Sequence, residues 1–186
     1  MERSLTYSEA IREATAQEMA QDGSVIVLGM GVDDPTLLHG TTAGLAEQFG
    51  SDRVFDTPVA EDGMTGVAIG AALGGLRPIH VHIRMDFLLL AMNQLINMAA
   101  KMRYMYGGAV SVPIVVRAII GRSWGQGPQH AQSLESVFAH IPGLKVVSVS
   151  SPKNAKGIIL SSIEDLNPVI IFEHRWLHNI KGHVPK

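Results

Sequence analysis

Two stretches of the 186-residue chain concentrate side chains that can do chemistry. The first is Glu61-Asp62, placed between the apolar Val54-Phe55 with its Pro58 turn and the glycine-rich Gly63–Leu73. A carboxylate at a helix start is stabilised by the helix dipole, and either acid can fill that capping role. The end of a parallel strand is also where doubly wound folds bind ligands, which makes Glu61 a candidate acid–base group. The second is Gly121-Arg122-Ser123-Trp124-Gly125-Gln126-Gly127-Pro128-Gln129-His130. Its glycines and proline exclude regular structure, and a polar loop after an apolar strand is a site candidate. His130 reads either as a half-exposed loop histidine or as a proton-transfer or anion-binding group.

Two weaker patterns carry less. His80 and His82 share one face of a strand, but no third ligand is suggested nearby, so a metal site is not favoured. Gly29-Met30-Gly31-Val32-Asp33 partly matches a dinucleotide loop, with Asp34 standing where the last glycine belongs. A nucleotide-binding domain built on it is the weakest of the functional alternatives. There is no P-loop, G-x-S-x-G or H-E-x-x-H motif, and with no cysteine there is no thiolate nucleophile.

The elements that must position these residues follow from hydropathy. Strands are expected at Ser24–Leu28, Arg53–Asp56, Pro78–Ile83, Pro113–Ile119, Leu144–Ser148 and Val169–Phe172. Several are apolar on successive residues, as in strands covered on both faces. Helices are expected at Ser8–Gln21 with Ser8 as N-cap, Thr42–Phe49, Gly63–Leu73, Phe87–Tyr106, Ser133–His140 and Pro152–Ile163. The alternation gives an α/β fold, a doubly wound and mostly parallel sheet flanked by helices. It divides as a domain over 1–174 and a tail or linker over 175–186. Gly63, Gly66, Gly70, Gly74 and Gly75 cost about 1 kcal/mol each within a helix. They are expected where another backbone or a ligand comes close.

Charge and composition narrow the class. Fifteen Lys and Arg against seventeen Asp and Glu give a net charge of -2, which argues against a polybasic nucleic-acid binder. Only 17% of residues are charged, which points to a surface covered by other chains. The longest apolar run, Phe87–Met92, is far short of the roughly 20 residues of a membrane span. A cytoplasmic protein is expected.

With these residues in view, the chain resembles the pyrimidine-binding domain of thiamine-diphosphate enzymes, the central domain of transketolase. It is most similar to the N-terminal half of the 2-oxo-acid dehydrogenase beta subunit. The resemblance rests on ordered segments spread over nearly the whole chain. Among them are Phe49-Gly50, Asp56-Thr57-Pro58, Glu61-Asp62-Gly63, Gly66–Leu76 and Gln94-Leu95-Ile96-Asn97. Further on come Tyr104–Gly108, Val112–Val115, Gly127–His130, Pro142–Val147 and Asn167-Pro168-Val169.

The resemblance implies roles residue by residue. Glu61 matches the glutamate whose carboxyl hydrogen-bonds the aminopyrimidine ring and favours the tautomer that deprotonates the thiazolium carbon. An apolar pocket is expected to keep such a carboxyl near its proton. Phe87 matches an aromatic residue that stacks on the aminopyrimidine, although it is equally readable as helix core. His130 matches an active-site histidine. Met30 stands beside the cofactor where related beta subunits usually carry an acid. Ser162, Ile163, Asp165 and Asn167 match a segment that binds structural potassium in some beta subunits.

The diphosphate and its Mg²⁺ are held in the family by a domain with a G-D-G motif, which this chain lacks. An alpha-type partner subunit is therefore implied, in an alpha2beta2-like assembly that includes a second copy of this chain. The expected activity is decarboxylation of a 2-oxo acid or transfer of a ketol or acyl unit. A non-catalytic structural subunit that keeps the fold is the alternative.

Overall fold

A computed structural model describes residues 3–122 and 124–186. Six strands form one sheet: β2 (Val25–Gly29), β3 (Val54–Phe55), β4 (Arg77–His82), β5 (Val115–Ile120), β6 (Lys145–Val149) and β7 (Val169–His174). Their order is β3-β2-β4-β5-β7-β6, and every pairing is parallel. The chain steps outward from β2 to β3 and returns to pair β4 on the other side of β2. The strand ends between β2 and β4 therefore flank a topological switch point, where open parallel sheets bind ligands.

Helices α1 (Tyr7–Gln21) and α7 (Pro152–Glu164) cover one face, with Ile11, Ala14, Ala155 and Ile159 packed on Val25, Val27, Val115 and Ile171. The other face is covered by α3 (Glu61–Leu73) and a long helical rod, with Ala68, Ile69 and Leu95 against Ile26, Leu28, Val116 and Ile170. Adjacent strand residues feed opposite layers, which accounts for the unbroken apolar runs. Short helices α2 (Leu45–Phe49) and α6 (Glu135–Ala139) complete the connections.

Several boundaries differ from expectation for identifiable reasons. Helix α1 is capped by Thr6 instead of Ser8. Thr6 Oγ1 accepts from the Glu9 amide and Glu9 Oε2 from the Thr6 amide, a reciprocal capping box. Helix α3 begins at Glu61, two residues early, and α2 begins only after Gly44, whose φ of 75° no helix continues through. The expected helix Phe87–Tyr106 starts at Met85 and is not uniform. It comprises α4 (Met85–Leu88), a 3₁₀ turn (Leu89–Ala91), a π-helical stretch (Gln94–Ala99) and α5 (Ala100–Met105). Hydropathy does not report such changes of pitch.

The last residues, read as a tail or linker, fold back onto the first. Strand β8 (Lys181–His183) pairs antiparallel with β1 (Ser4–Thr6), and Val184 is fully buried. The buried Lys156 ammonium on α7 holds this end, donating to Glu13 Oε1 at 2.7 Å and to the Pro185 carbonyl at 3.0 Å.

The glycine-rich face of α3 also departs from expectation. A side chain at Gly70 would meet nothing within 4 Å, and one at Gly66 would only touch Gln94 Cγ at 3.9 Å. Gly63, Gly66 and Gly70 are exposed together with Val67 and Leu73. Among the described residues, no close packing calls for these glycines.

One charged pair lies inside the sheet. Arg117 on β5 and Glu173 on β7 are each 1% exposed and bonded twice, at 2.5 and 3.0 Å, and His178 Nε2 lies 3.4 Å from Glu173. Burial alone would raise the Glu173 carboxyl, but Arg117 and His178 hold it down to about 2. The stability this gives is therefore complete above the ordinary value of 4.5 and is lost as pH falls toward 2. Replacing Arg117 with Met strands a buried carboxylate and should lower stability by about 3–5 kcal/mol. The double replacement Arg117→Met/Glu173→Leu should recover most of the loss, and urea unfolding of both variants measures the difference.

Candidate active site

The cleft opens at the carboxyl ends of β2 and β4. Strand β2 ends on Gly29, where a Cβ would sit 2.2 Å from the Val81 carbonyl oxygen, so only glycine lets the two strands close there. The next turn does not form a dinucleotide loop. The Gly31 amide donates to Asp56 Oδ1 at 2.7 Å, and no helix opens behind it. The backbone donor a phosphate would need is spent.

Glu61 occupies the first turn of α3 and is 8% exposed. The N-cap is Ala60, which offers no side-chain cap, and within the first turn Asp62, not Glu61, accepts from a free amide, that of Gly63, at 2.7 Å. Glu61 makes no side-chain hydrogen bond among the described residues, so its carboxylate is uncommitted. Around it lies a cleft of about 430 Å³ lined by Met30, Val59, Ile83, Arg84, Phe87, Leu90 and His130. A lone carboxylate in a mostly apolar cleft fits a flat heteroaromatic ligand that offers a single polar edge. Phe87 is only half-buried and faces this cleft, while its neighbours Met85 and Leu88 fill the core. The Phe87 and His130 rings meet edge to face at 5.1 Å, which brings two of the expected residues together beside a third.

His80 and His82 lie directly behind Glu61. With Glu61, Thr57, Pro58 and Met64 they line a void of about 10 Å³, roughly the space of one water. Their rings are 4.3 Å apart, and His80 Nδ1 lies 3.3 Å from the Leu28 carbonyl. Both Nε2 atoms are buried without a partner. Burial pushes His80 down to about 4 and His82 well below its ordinary value. Among the described residues no group of three acidic or histidine side chains could hold a metal.

The loop that carries His130 is fixed from below. Arg175, 3% exposed at the end of β7, donates to the His130 carbonyl at 2.8 Å and to Gln126 Oε1 at 2.8 Å, and its guanidinium lies 5.1 Å from the Trp124 ring centre. Arg84 reaches the same Gln126 oxygen at 3.1 Å. Buried Asp86 accepts from the Gln132 amide at 3.2 Å and from its side chain at 2.8 Å. Ser123 of this loop lies outside the described residues. Arg84, Arg175, Asp86 and Gln126 were not singled out from sequence. The available signal was position, since Arg84 and Arg175 each stand at the end of a buried parallel strand.

The segment matched to a potassium site is elsewhere. Ser162, Ile163, Asp165 and Asn167 lie where α7 leads into β7, at the amino ends of the strands, opposite the end that bears the cleft. The Ile163 carbonyl accepts from Arg77 at 2.8 Å. Asp165 accepts twice from Asn167, at 2.9 Å each, and pairs with Lys145. Arg77 and Lys145 thus engage the Ile163 carbonyl and the Asp165 carboxylate of this segment.

Comparisons with known proteins identify the family and the fold. Residues 3–180 match the family model described as transketolase, pyrimidine binding domain. The chain is 48% identical over 177 residues to the pyruvate dehydrogenase E1 component subunit beta of Gracilaria tenuistipitata var. liui, covering 95% of this chain and 55% of that protein. It is 46% identical over 182 residues to the 2-oxoisovalerate dehydrogenase subunit beta of Bacillus subtilis, covering 97% and 56%. The chain thus spans about half the length of the curated relatives it matches. A solved split-gene transketolase, in an inactive beta4 tetramer, shares the fold with a TM-score of 0.73 at 20% identity, over 98% of this chain and 53% of that one.

The buried imidazoles make folding sensitive to acid. Their protonation is opposed in the folded state, so their stabilising effect is complete above the ordinary value of 6.5 and falls away toward pH 4. The melting temperature should drop over that range. A His80→Leu/His82→Phe variant should show a shallower drop, with His39, also held to about 4, contributing to what remains and Glu173 adding to it below 4.5.

Proposed function

The chain belongs to the transketolase pyrimidine-binding domain family, and from that premise we propose that it is the pyrimidine-binding half of a two-subunit thiamine-diphosphate enzyme. The reaction is decarboxylation of a 2-oxo acid, or the related transfer of an acyl or ketol unit. The observation that carries this reading is the uncommitted Glu61 carboxylate in an apolar cleft at the switch point, with Phe87 and His130 beside it.

The residues present fit the cofactor's aminopyrimidine. Phe87, Leu90, Ile83 and Met30 offer apolar walls, and Glu61 offers a carboxyl that can donate its proton to a ring nitrogen. When bound, thiamine diphosphate supplies a nucleophilic carbon that adds to the substrate's 2-oxo group. Glu61 holds the proton that the pyrimidine ring nitrogen receives and gives back. His130, its backbone carbonyl held by Arg175, presents an imidazole to the reacting side of the cleft. Met30 adds no charge at a place where related subunits usually carry an acid, so within this chain the proton traffic rests on Glu61.

The diphosphate and its Mg²⁺ fall to an alpha-type partner that closes the open side of the cleft. The exposed glycine face of α3, with Val67, Leu73 and the neighbouring Leu90 and Met98, supplies surface for that partner and for a second copy of this chain in an alpha2beta2-like assembly. No helix is long and apolar enough to cross a membrane among the described residues, and we place the assembly in an aqueous compartment such as the cytoplasm.

Reconstitution with the diphosphate-binding partner tests the reading. Glu61→Gln should lower turnover of a 2-oxo acid by about 10²–10⁴-fold while the two subunits still assemble by gel filtration. Equal turnover of both forms would remove Glu61 from the chemistry. Assembly without cofactor binding in calorimetry would favour the structural-subunit alternative.

A further inference from the structure

Beside the cleft lies more positive charge than chemistry at Glu61 and His130 uses: Arg84 is in its wall, and buried Arg175 is behind the loop that carries His130. Arg84 and Arg175 donate to one neutral oxygen, Oε1 of Gln126, at 3.1 and 2.8 Å. Their remaining bonds go to backbone carbonyls, Arg84 to Ile83 at 2.7 Å and Arg175 to His130 at 2.8 Å. Both Nε atoms are buried with no acceptor. Neither guanidinium forms an ion pair with a carboxylate among the described residues. Asp86, the acid whose field both feel, bonds neither: its Oδ1 accepts twice from Gln132, and its buried Oδ2 has no partner.

Two guanidiniums that share one amide oxygen repel each other, and an amide dipole cannot neutralise two full charges in a partly desolvated site. A carboxylate or phosphate would accept from both and cancel the excess, through the charge-assisted bonds that arginine forms best. Gln126 is suited to give way. It is exposed and lies between Gly125 and Gly127, with φ of 70° and 75°.

The space is also present. Arg84 stands in the wall of the cleft over Glu61 and in the wall of an adjoining cavity of about 200 Å³, whose lining includes Thr36, His39, Trp124 and Gln126. That second cavity is smaller than an ordinary cofactor pocket and suits an oxyanion on a short chain.

We propose that Arg84 and Arg175 form an oxyanion subsite, in which a carboxylate or phosphate of the substrate displaces the Gln126 amide oxygen while the rest of the substrate reaches the cleft over Glu61. This rests on the reading of that cleft as the substrate site. The subsite restricts the enzyme to anionic substrates and fixes their orientation relative to His130, because Arg175 holds the anion and the His130 backbone at once.

Binding can be tested on the full chain without its partner. Malonate, inorganic phosphate and neutral acetamide are titrated in by calorimetry, with the arginine side-chain N–H signals followed by NMR. Malonate and phosphate should bind and acetamide should not. Arg84→Met should weaken anion binding by about tenfold or more, with Arg84→Lys intermediate. Undiminished binding to Arg84→Met, or no anion binding to the unaltered chain, would overturn the subsite.

In the reconstituted complex, pyruvate and 2-oxoglutarate identify which carboxylate is read. Arg84→Met should raise KM for both if it is the one beside the 2-oxo group, and for 2-oxoglutarate alone if it is a second one. In either case kcat should change less than KM, and KM unchanged for both would also overturn the subsite. A complex inactive on both substrates whose beta-type chain still binds malonate through Arg84 would refute decarboxylation of these two oxo acids and leave the subsite standing.

Discussion

The buried ion pair of Arg117 and Glu173 is the constraint on which the site's geometry depends. A carboxylate placed between two layers of aliphatic side chains must be answered on every lone pair. Arg117 answers it from β5, and His178 answers it from beyond the end of β7. To bring His178 back to Glu173 the chain must turn sharply after β7, through a 3₁₀ turn at Arg175–Leu177. That turn sets Arg175 beneath the 124–131 loop, where it grips the His130 carbonyl. His178 in turn stacks on His39 at 4.4 Å and meets the Tyr7 ring edge to face at 5.6 Å. A demand for charge compensation in the middle of the sheet is thus passed outward to the histidine at its rim.

The cleft itself follows from connectivity. Because β3 and β4 lie on opposite sides of β2, the segments that follow β2 and β4 diverge and leave a gap between them. The chain fills the bottom of that gap with two neutral imidazoles and its sides with Met30, Ile83 and Phe87. Glu61 is thereby kept from the ion pairs that would bind it elsewhere. The same economy of acids leaves Arg84 and Arg175 without carboxylate partners. The unpaired acid shares its cleft with Arg84, and Arg175 lies behind the loop that carries His130, so acid and base are available to different parts of a ligand.

Much of this was legible in the sequence. Unbroken runs such as Val115–Ile120 gave the doubly covered sheet, and the order of elements gave its winding. Glu61, Phe87 and His130 were legible through family resemblance more than through residue type. Position alone left Glu61 and Asp62 interchangeable until the Gly63 amide was seen to choose Asp62. What was not legible depends on partners distant in sequence. The β1–β8 ribbon joins residues almost a whole chain apart, and three-residue strands carry no periodicity to read. The Arg84–Gln126–Arg175 arrangement brings together three segments whose side chains would otherwise read as solvated. The π-helical stretch at Gln94–Ala99 is a matter of hydrogen-bond register, to which hydropathy is blind.

The glycines of α3 have a consequence for how substitutions in this protein would be scored. At Gly70 the chain itself offers no obstacle to a methyl group, and alanine there would strengthen the isolated helix by about 1 kcal/mol. A survey of folding stability would rank Gly70→Ala among the improvements. If another backbone approaches this face in the assembly, the same methyl group would hold it off. One residue would then be under opposite preferences, from folding and from association, and measurements on the free subunit would report only the first.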